Sequence, residues 1–228
     1  MKIGIIGAGW AGMAAAVQAT KNGHTAIVFE AARTLGGRAR ALNATLPNGV
    51  EATLDNGQHI LIGAYADSLQ LMAEVGVPEQ DALLRLPMSL RFPDGQGIAF
   101  PRWPTPLDAV AGIVTAKGWT LRDKASLLRV ATAWQLSRFT CAPSLSVAAL
   151  CAGLSPRVRA QLIEPLCVSA LNTPANRASA QVFLRVMKDA LFGVQGGSHL
   201  LLPTVDLSAM FAAPAAQWLQ TRGGQVHL

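Results

Sequence analysis

An apolar run of strand length, Lys2 to Ile6, breaks into Gly7-Ala8-Gly9-Trp10-Ala11-Gly12 and passes into an alanine-rich helical stretch. A second run, Thr25 to Phe29, is β-branched and aromatic and ends on an acid, Glu30. Strand, glycine-rich turn, helix and strand make a βαβ unit, which demands a parallel sheet of the Rossmann type. Each glycine has a separate task. Gly7 permits the tight turn out of the strand, Gly9 lets the backbone approach a pyrophosphate, and Gly12 lets the helix pack close to the strand. The helix then turns its free N–H groups and positive dipole end toward the phosphates. Glu30 falls 18 residues after Gly12, where a carboxylate can accept hydrogen bonds from ribose hydroxyls. It would repel a 2′-phosphate, so NADP is disfavoured and FAD or NAD remain.

Composition narrows the setting. The chain has 228 residues, 51% of them hydrophobic and 14% charged, enough to bury a substantial core as one large domain or two small ones. No uninterrupted apolar run reaches membrane-spanning length. The first nineteen residues have some look of a signal peptide, but the glycines and the strand and acid that follow favour the βαβ reading, and the chain is expected to be cytoplasmic. Cys141, Cys151 and Cys167 lack metal or redox spacing and sit in apolar surroundings, so they are expected as buried hydrophobes. The four histidines show no zinc spacing, and no metal site is expected. The net charge of +6 is concentrated between Pro101 and Ala160, where the only acids are Asp108 and Asp123. A basic, apolar and helical segment points to peripheral contact with an anionic membrane before it points to nucleic acid, for which no module is visible. Oligomeric state is not legible.

Beyond Glu30 the chain reads Glu30-Ala-Ala-Arg33-Thr-Leu-Gly36-Gly37-Arg38. This resembles the continuation found in the flavin amine oxidase and phytoene desaturase superfamily, in which the glycine pair crosses near the pyrophosphate and the arginine meets a phosphate of FAD. The chemistry agrees: paired glycines admit close approach, and a guanidinium offers a fork to phosphate oxygens. Further on, Asp55-Asn-Gly57-Gln58-His59-Ile-Leu-Ile-Gly63-Ala-Tyr65 is similar to the squalene-associated subgroup, the hydroxysqualene dehydroxylases of hopanoid biosynthesis. The resemblance implies cofactor contacts at Gly7, Gly9, Trp10, Ala11, Gly12, Glu30, Ala31, Arg33, Gly37 and Arg38, and again at Asp55, Gly57, Gln58 and His59. Gln58 and His59 are polar within an apolar run and could face the flavin or the substrate. His59 could equally be a strand-end histidine bonded to backbone.

The remaining pattern organises the chain. Tyr65 to Val75 is spaced as a short helix ended by Gly76. Ser89 to Phe100 reads as a hairpin turning at Pro93-Asp94-Gly95, and Pro101 to Pro106 reads as a hinge. Leu107 to about Gly153 is helical. Within it Leu127, Leu128, Ala131, Trp134 and Leu136 can share one face in a core, with bases on the other. Ser155-Pro156 starts a helix, which Glu164-Pro165 is expected to kink or end. Ser179 to Leu191 is another helix. Gly196-Gly197 through Gly223-Gly224-Gln225-Val226 resembles the superfamily block that leads a strand back into the nucleotide-binding domain. The expected architecture is α/β: a Rossmann-like FAD-binding part at 1–88, an inserted, mainly helical substrate part at 89–195, and a return segment at 196–228, with the superfamily's later segments missing at the C-terminus.

The resemblance implies an FAD-dependent oxidoreductase acting on a long apolar isoprenoid: reductive dehydroxylation of hydroxysqualene to squalene, with His59 as candidate acid for the departing hydroxyl. A phytoene-type desaturase is the alternative within the same chemistry. An amine-oxidising site needs aromatic walls, and the single tyrosine, Tyr65, weighs against it. An alternative of another class is a nucleotide-binding fragment without activity.

Overall fold

The structure is a computed structural model describing residues 1–57 and 59–228. From the amino terminus run β1 (Lys2–Ile6), α1 (Trp10–Lys21), β2 (Thr25–Phe29), β3 (Ala41–Thr45), β4 (Glu51–Asp55), β5 (Leu61–Ile62), α2 (Ala66–Glu74), α3 (Glu79–Ala82) and β6 (Leu83–Leu86). The middle holds β7 (Ser89–Arg91), β8 (Gly97–Ala99), α4 (Leu107–Thr115), α5 (Leu121–Leu136), α6 (Val147–Leu150), α7 (Pro156–Val158), α8 (Glu164–Leu171) and α9 (Ala180–Lys188). β9 (Leu200–Pro203), α10 (Ala213–Gln220) and β10 (Gln225–His227) close the chain. It divides into two compact units. The first takes residues 1–61, 65–85 and 201–228; the second takes 62–64 and 86–200. Pro101 to Pro106, read as a hinge, lies inside the second.

The first unit is built on a parallel sheet in the order β1-β2-β10, in which Lys2 pairs with Thr25 and Gln225 with Ile27. The expected return strand is therefore present, beside β2. Ala26 and Val28 point to the buried face, where Met13, Ala16 and Val17 of α1 and Ala215, Ala216 and Leu219 of α10 pack with Met210 and Phe211. The alanines of α1 let helix and sheet approach closely. At Gly12 the approach has no slack, because a Cβ there would run into the Gly7 carbonyl oxygen. β3 and β4 form an antiparallel ribbon in which Ala41 faces Asp55 and Thr45 faces Glu51. The Asn48-Gly49 turn joins them, with Gly49 at φ +80°. β3 is absent from the sequence reading, because Ala-Leu-Asn-Ala-Thr has weak strand propensity and gains its conformation from its partner.

The second unit is mainly helical. Its core gathers Ile98, Phe100, Trp119, Leu127, Trp134, Val147, Cys151, Val158, Leu162, Cys167, Phe183 and Leu184. Trp134 meets Phe183 edge to face at 6.2 Å, the geometry favoured by aromatic quadrupoles. Its helices start where side chains can cap them. Thr120 and Asp123 form a reciprocal capping box on α5, and Ser146, Ser155 and Ser179 each accept from an amide in the first turn of α6, α7 and α9. The hairpin of β7 and β8 is present as read, with Ser89 facing Ala99.

Two sequence readings are corrected. On α5, Leu127 and Trp134 are buried, but Leu136 is 81% exposed and Leu128 is 37% exposed. The apolar stripe is therefore narrower than its spacing implied. Pro165 neither kinks nor ends its helix, since helical turns run from Pro156 through Leu171. A π turn at Arg159–Ile163 immediately precedes α8 and contains Gln161, the residue whose carbonyl the proline ring would strike. The wider turn relieves that clash. Pro214, second in α10, stands in the same relation to a π turn at Ser208–Ala212.

Two outcomes are expected. Gly12→Ala, a favourable exchange in an ordinary helix, should here lower unfolding free energy by about 1–3 kcal/mol, read from the shift of the denaturant midpoint. The Cys151 and Cys167 thiols are buried, and burial pushes the Cys151 thiol up to about 12 and raises that of Cys167 as well. A thiol-specific reagent at neutral pH should therefore modify Cys141 alone in the folded protein and all three after denaturation.

Candidate functional site

The geometry centres on the loop between β1 and α1. The Gly7 N–H still pairs with the Phe29 carbonyl at 2.7 Å, so the turn begins in register with β2. Gly7 then takes φ +95°, in the left-handed region that an L side chain resists. Gly9 is the N-cap of α1 and offers no side-chain cap, and the first turn holds no acid. The leading N–H groups of the helix thus face outward with the positive end of the dipole, as anion binding needs.

Glu30 closes one side of this turn. Its Oε2 accepts from the Ala8 N–H at 2.7 Å and its Oε1 from the Ala32 N–H at 2.8 Å. These bonds, that to Ala32 first, hold the carboxyl below the usual carboxylate range against the opposing effect of burial, and the charge of Arg40 acts in the same direction. Each oxygen keeps acceptor capacity after its backbone bond, so the carboxylate can also receive sugar hydroxyls.

The glycine pair closes the other side. The Gly36 N–H donates to the Ala8 carbonyl at 2.9 Å, and Gly9 and Gly36 form a parallel bridge. A Cβ on Gly37 would stand 3.2 Å from Gly9 Cα. Gly7 to Gly9, Glu30 and Gly36-Gly37, separated by up to thirty residues of sequence, are therefore one cradle of backbone. Ala31, Arg33 and Arg38 are exposed around it, as is Ala11 on the first turn of α1. Trp10 turns inward, its ring 5.0 Å from that of Phe211.

The second group of residues is placed differently. One oxygen of Asp55 accepts from the Leu207 N–H at 2.9 Å, and Ser208 Oγ accepts from the Ala41 N–H at 2.9 Å. Asp55 thus has a structural duty in anchoring the β3–β4 ribbon. Gly57 adopts φ +102°. His59 is exposed, with its Nε2 3.7 Å from the position a Cβ on Gly57 would take. Gln58 lies outside the described residues.

Arg40 escaped the sequence reading. Its Nε is buried without a hydrogen-bond partner, and its charge acts on Glu30. The motif Gly36-Gly-Arg-Ala-Arg40 holds two arginines, and the resemblance directed attention to the first. A buried guanidinium donor without a partner beside an anion cradle suits the phosphates of a dinucleotide. The cradle therefore fits such a group.

Comparison with known proteins agrees with this geometry. Residues 5–75 match the family model described as an NAD(P)-binding Rossmann-like domain. Hydroxysqualene dehydroxylase of Sinorhizobium fredii is 28% identical over 98% of this chain and 52% of its own length, and that of Zymomonas mobilis is 27% identical over 97% and 52%. The chain spans about half the length of these curated relatives. The 15-cis-phytoene desaturase of Synechococcus elongatus is 33% identical, over 50% of this chain and 24% of its own. Among solved structures, an oxidoreductase from Methanosarcina mazei superposes with TM-score 0.61 at 18% identity, covering 100% of this chain and 51% of that one; it shares the fold. With the cradle in place, residues 5–75 carry an NAD(P)-binding Rossmann-like domain, and the chain is similar over almost its whole length to the hydroxysqualene dehydroxylases.

Proposed function

We propose that this chain carries the FAD-holding part of an oxidoreductase that removes the hydroxyl of hydroxysqualene reductively to give squalene. The observation that carries the reading is the Glu30 carboxylate, fixed between the Ala8 and Ala32 amides at the mouth of a glycine turn that the Gly36-Gly37 pair closes. Glu30 holds the adenosine ribose through its remaining acceptor sites. The α1 N-terminus receives the pyrophosphate, and Arg38 and Arg40 supply positive charge beside it. An acid at this position disfavours a 2′-phosphate, which supports FAD over an NADP-type ligand. When bound in its reduced form, the flavin supplies the hydride that replaces the hydroxyl.

The chain's own residues have further parts in this scheme. Glycine backbone at Gly9 and Gly37 lets the cofactor approach without steric conflict. His59, the histidine of the Asp55 to Tyr65 motif, donates the proton with which hydroxide leaves as water. A phytoene-type desaturase is the second reading, supported by higher identity to the Synechococcus enzyme, but over half the chain only. The dehydroxylase match runs nearly the whole chain and is preferred. We place the protein in the cytoplasm, a reading supported by three free cysteines, two of them buried. Among the described residues no helix is long and apolar enough to cross a membrane.

Purified or reconstituted chain should be yellow, with flavin absorbance, and Glu30→Gln should weaken FAD binding roughly 10- to 150-fold, the equivalent of about 1.5–3 kcal/mol for a charge-assisted hydrogen bond. A colourless chain that cannot be reconstituted would instead support a nucleotide-binding fragment without activity. The contribution of Glu30 to stability is tied to its ionised form. Since its folded value is lowered, that contribution is complete above the ordinary 4.5 and fades as pH falls through the folded value below it. Acid titration of thermal stability should show this loss in the wild type and lack it in Glu30→Gln. For the His59 role, His59→Ala in flavin-loaded enzyme supplied with hydroxysqualene should lower squalene formation about 10²–10⁴-fold at unchanged flavin content. Undiminished turnover would remove His59 from the scheme, and conversion of phytoene in place of hydroxysqualene would favour the desaturase.

A further inference from the structure

Helix α4 of the second unit holds its one acid on the side that packs into the core and carries large apolar groups on the outward side. Its acid, Asp108, is 1% exposed and lies on the buried side with Ala109 and Gly112. Its Oδ1 accepts from the Ala109 N–H at 2.8 Å. The outward side carries Leu107, Val110 and Val114, which are 58%, 45% and 56% exposed. Spacings of three and four residues put them on one stripe of the helix. Trp103 just before α4 is 56% exposed, and Leu121 just after it is 85% exposed. Scattered apolar side chains on a surface need no explanation, but five large ones within nineteen residues, three of them on one helical stripe, do.

The charges select what meets this face. Between residues 101 and 124 the acids are Asp108 and Asp123, and both are buried. The bases Arg102, Lys117 and Arg122 are exposed, and Lys124 donates from Nζ to the Val114 carbonyl at 2.6 Å, setting an ammonium at the C-terminal end of α4. This stretch therefore shows apolar groups and positive charge and no negative charge. A second copy would bring like charges together, and a purely phosphate-bearing partner would leave the valines and leucines in water. An interface with acyl chains below and anionic headgroups above satisfies both halves, and a tryptophan beside the stripe suits the boundary between them.

We propose that this face docks the chain peripherally on an anionic lipid surface, with the α4 stripe in the interfacial layer and Arg102 and Lys117 against headgroup phosphates. The reading is independent of the flavin assignment, because the face needs no cofactor to exist. The test is co-sedimentation of the whole chain with vesicles of phosphatidylcholine alone and of phosphatidylcholine mixed with phosphatidylglycerol. Wild type should bind the mixed vesicles, more weakly as salt rises, and leave the neutral ones largely unbound. Val110→Asp combined with Val114→Asp should lower partitioning at least about tenfold. Arg102→Glu with Lys117→Glu, both at exposed positions, should do the same for the anionic vesicles. Circular dichroism and flavin content, unchanged in each variant, separate this result from misfolding and from failure of the cofactor reading. The proposal is overturned if wild type ignores anionic vesicles or if both double variants bind them as wild type does. It is overturned also if wild type is a dimer that the valine variants dissociate while vesicles bind neither, which would give the face to a second copy.

Discussion

A carboxylate held by two backbone amides joins the end of one strand to the turn after another. Glu30 sits where β2 ends, and its two oxygens reach the Ala8 amide in the β1–α1 turn and the Ala32 amide in its own loop. Backbone amides in such a turn would otherwise point into solvent, so an acid here fixes the loop before any ligand arrives. The same bonds hold the carboxyl below its usual range. Preorganisation and recognition are thus done by one group. Ordering of the turn is completed on folding, and Glu30 keeps acceptor sites for the sugar that the proposed function assigns to it. The glycine pair extends the principle by pressing a third backbone segment onto the turn, with Gly36 bonded to Ala8 and Gly37 against Gly9.

The rest of the first unit serves to keep that turn in place. Parallel strands β1 and β2 set its entry and exit in register, and Met13, Ala16 and Val17 seat α1 on the sheet at a distance that only a glycine at position 12 permits. β10 pairs with β2 and its His227 ring stacks on Phe29 at 5.3 Å. β1 stands at the outer edge of this sheet, and Ile6 at its end is 94% exposed. A parallel sheet is ordinarily covered on both faces and flanked by further strands.

How much of this was legible follows from how local each signal is. Lys2–Ile6, the glycine turn, the helix and Thr25–Phe29 are specified by neighbours in sequence, and strand ends and helix start fall where the residue types place them. The caps at Ser155 and Ser179 were local in the same way. β3 was invisible because its conformation comes from β4 across the ribbon. Arg40 was overlooked because nothing local distinguishes it from Arg38, and only folding buries one Nε and leaves the other arginine exposed. Asp55 shows what a local motif omits: folding brings the Leu207 amide from the far end of the chain onto one of its oxygens. Pro165 shows that a strong local rule holds only for the backbone it assumes, since a π turn changes which carbonyl the ring must pass.

The two units also handle polar groups in contrasting ways, and the contrast bears on function. Around the glycine turn, polar backbone is gathered and pointed outward at a charged ligand, with a basic side chain brought in behind it. Along α4 the arrangement is reversed: the carboxylate of Asp108 is withdrawn to the buried side and satisfied by the adjacent amide, while valine and leucine face outward. Burying a carboxylate costs free energy that a solvent-facing position would spare, and exposing large apolar groups adds to it. The two proposals thus draw on opposite surface chemistry: outward valine and leucine along α4 for lipid, and outward polar backbone at the glycine turn for a charged dinucleotide, each in residues that the other environment would reject.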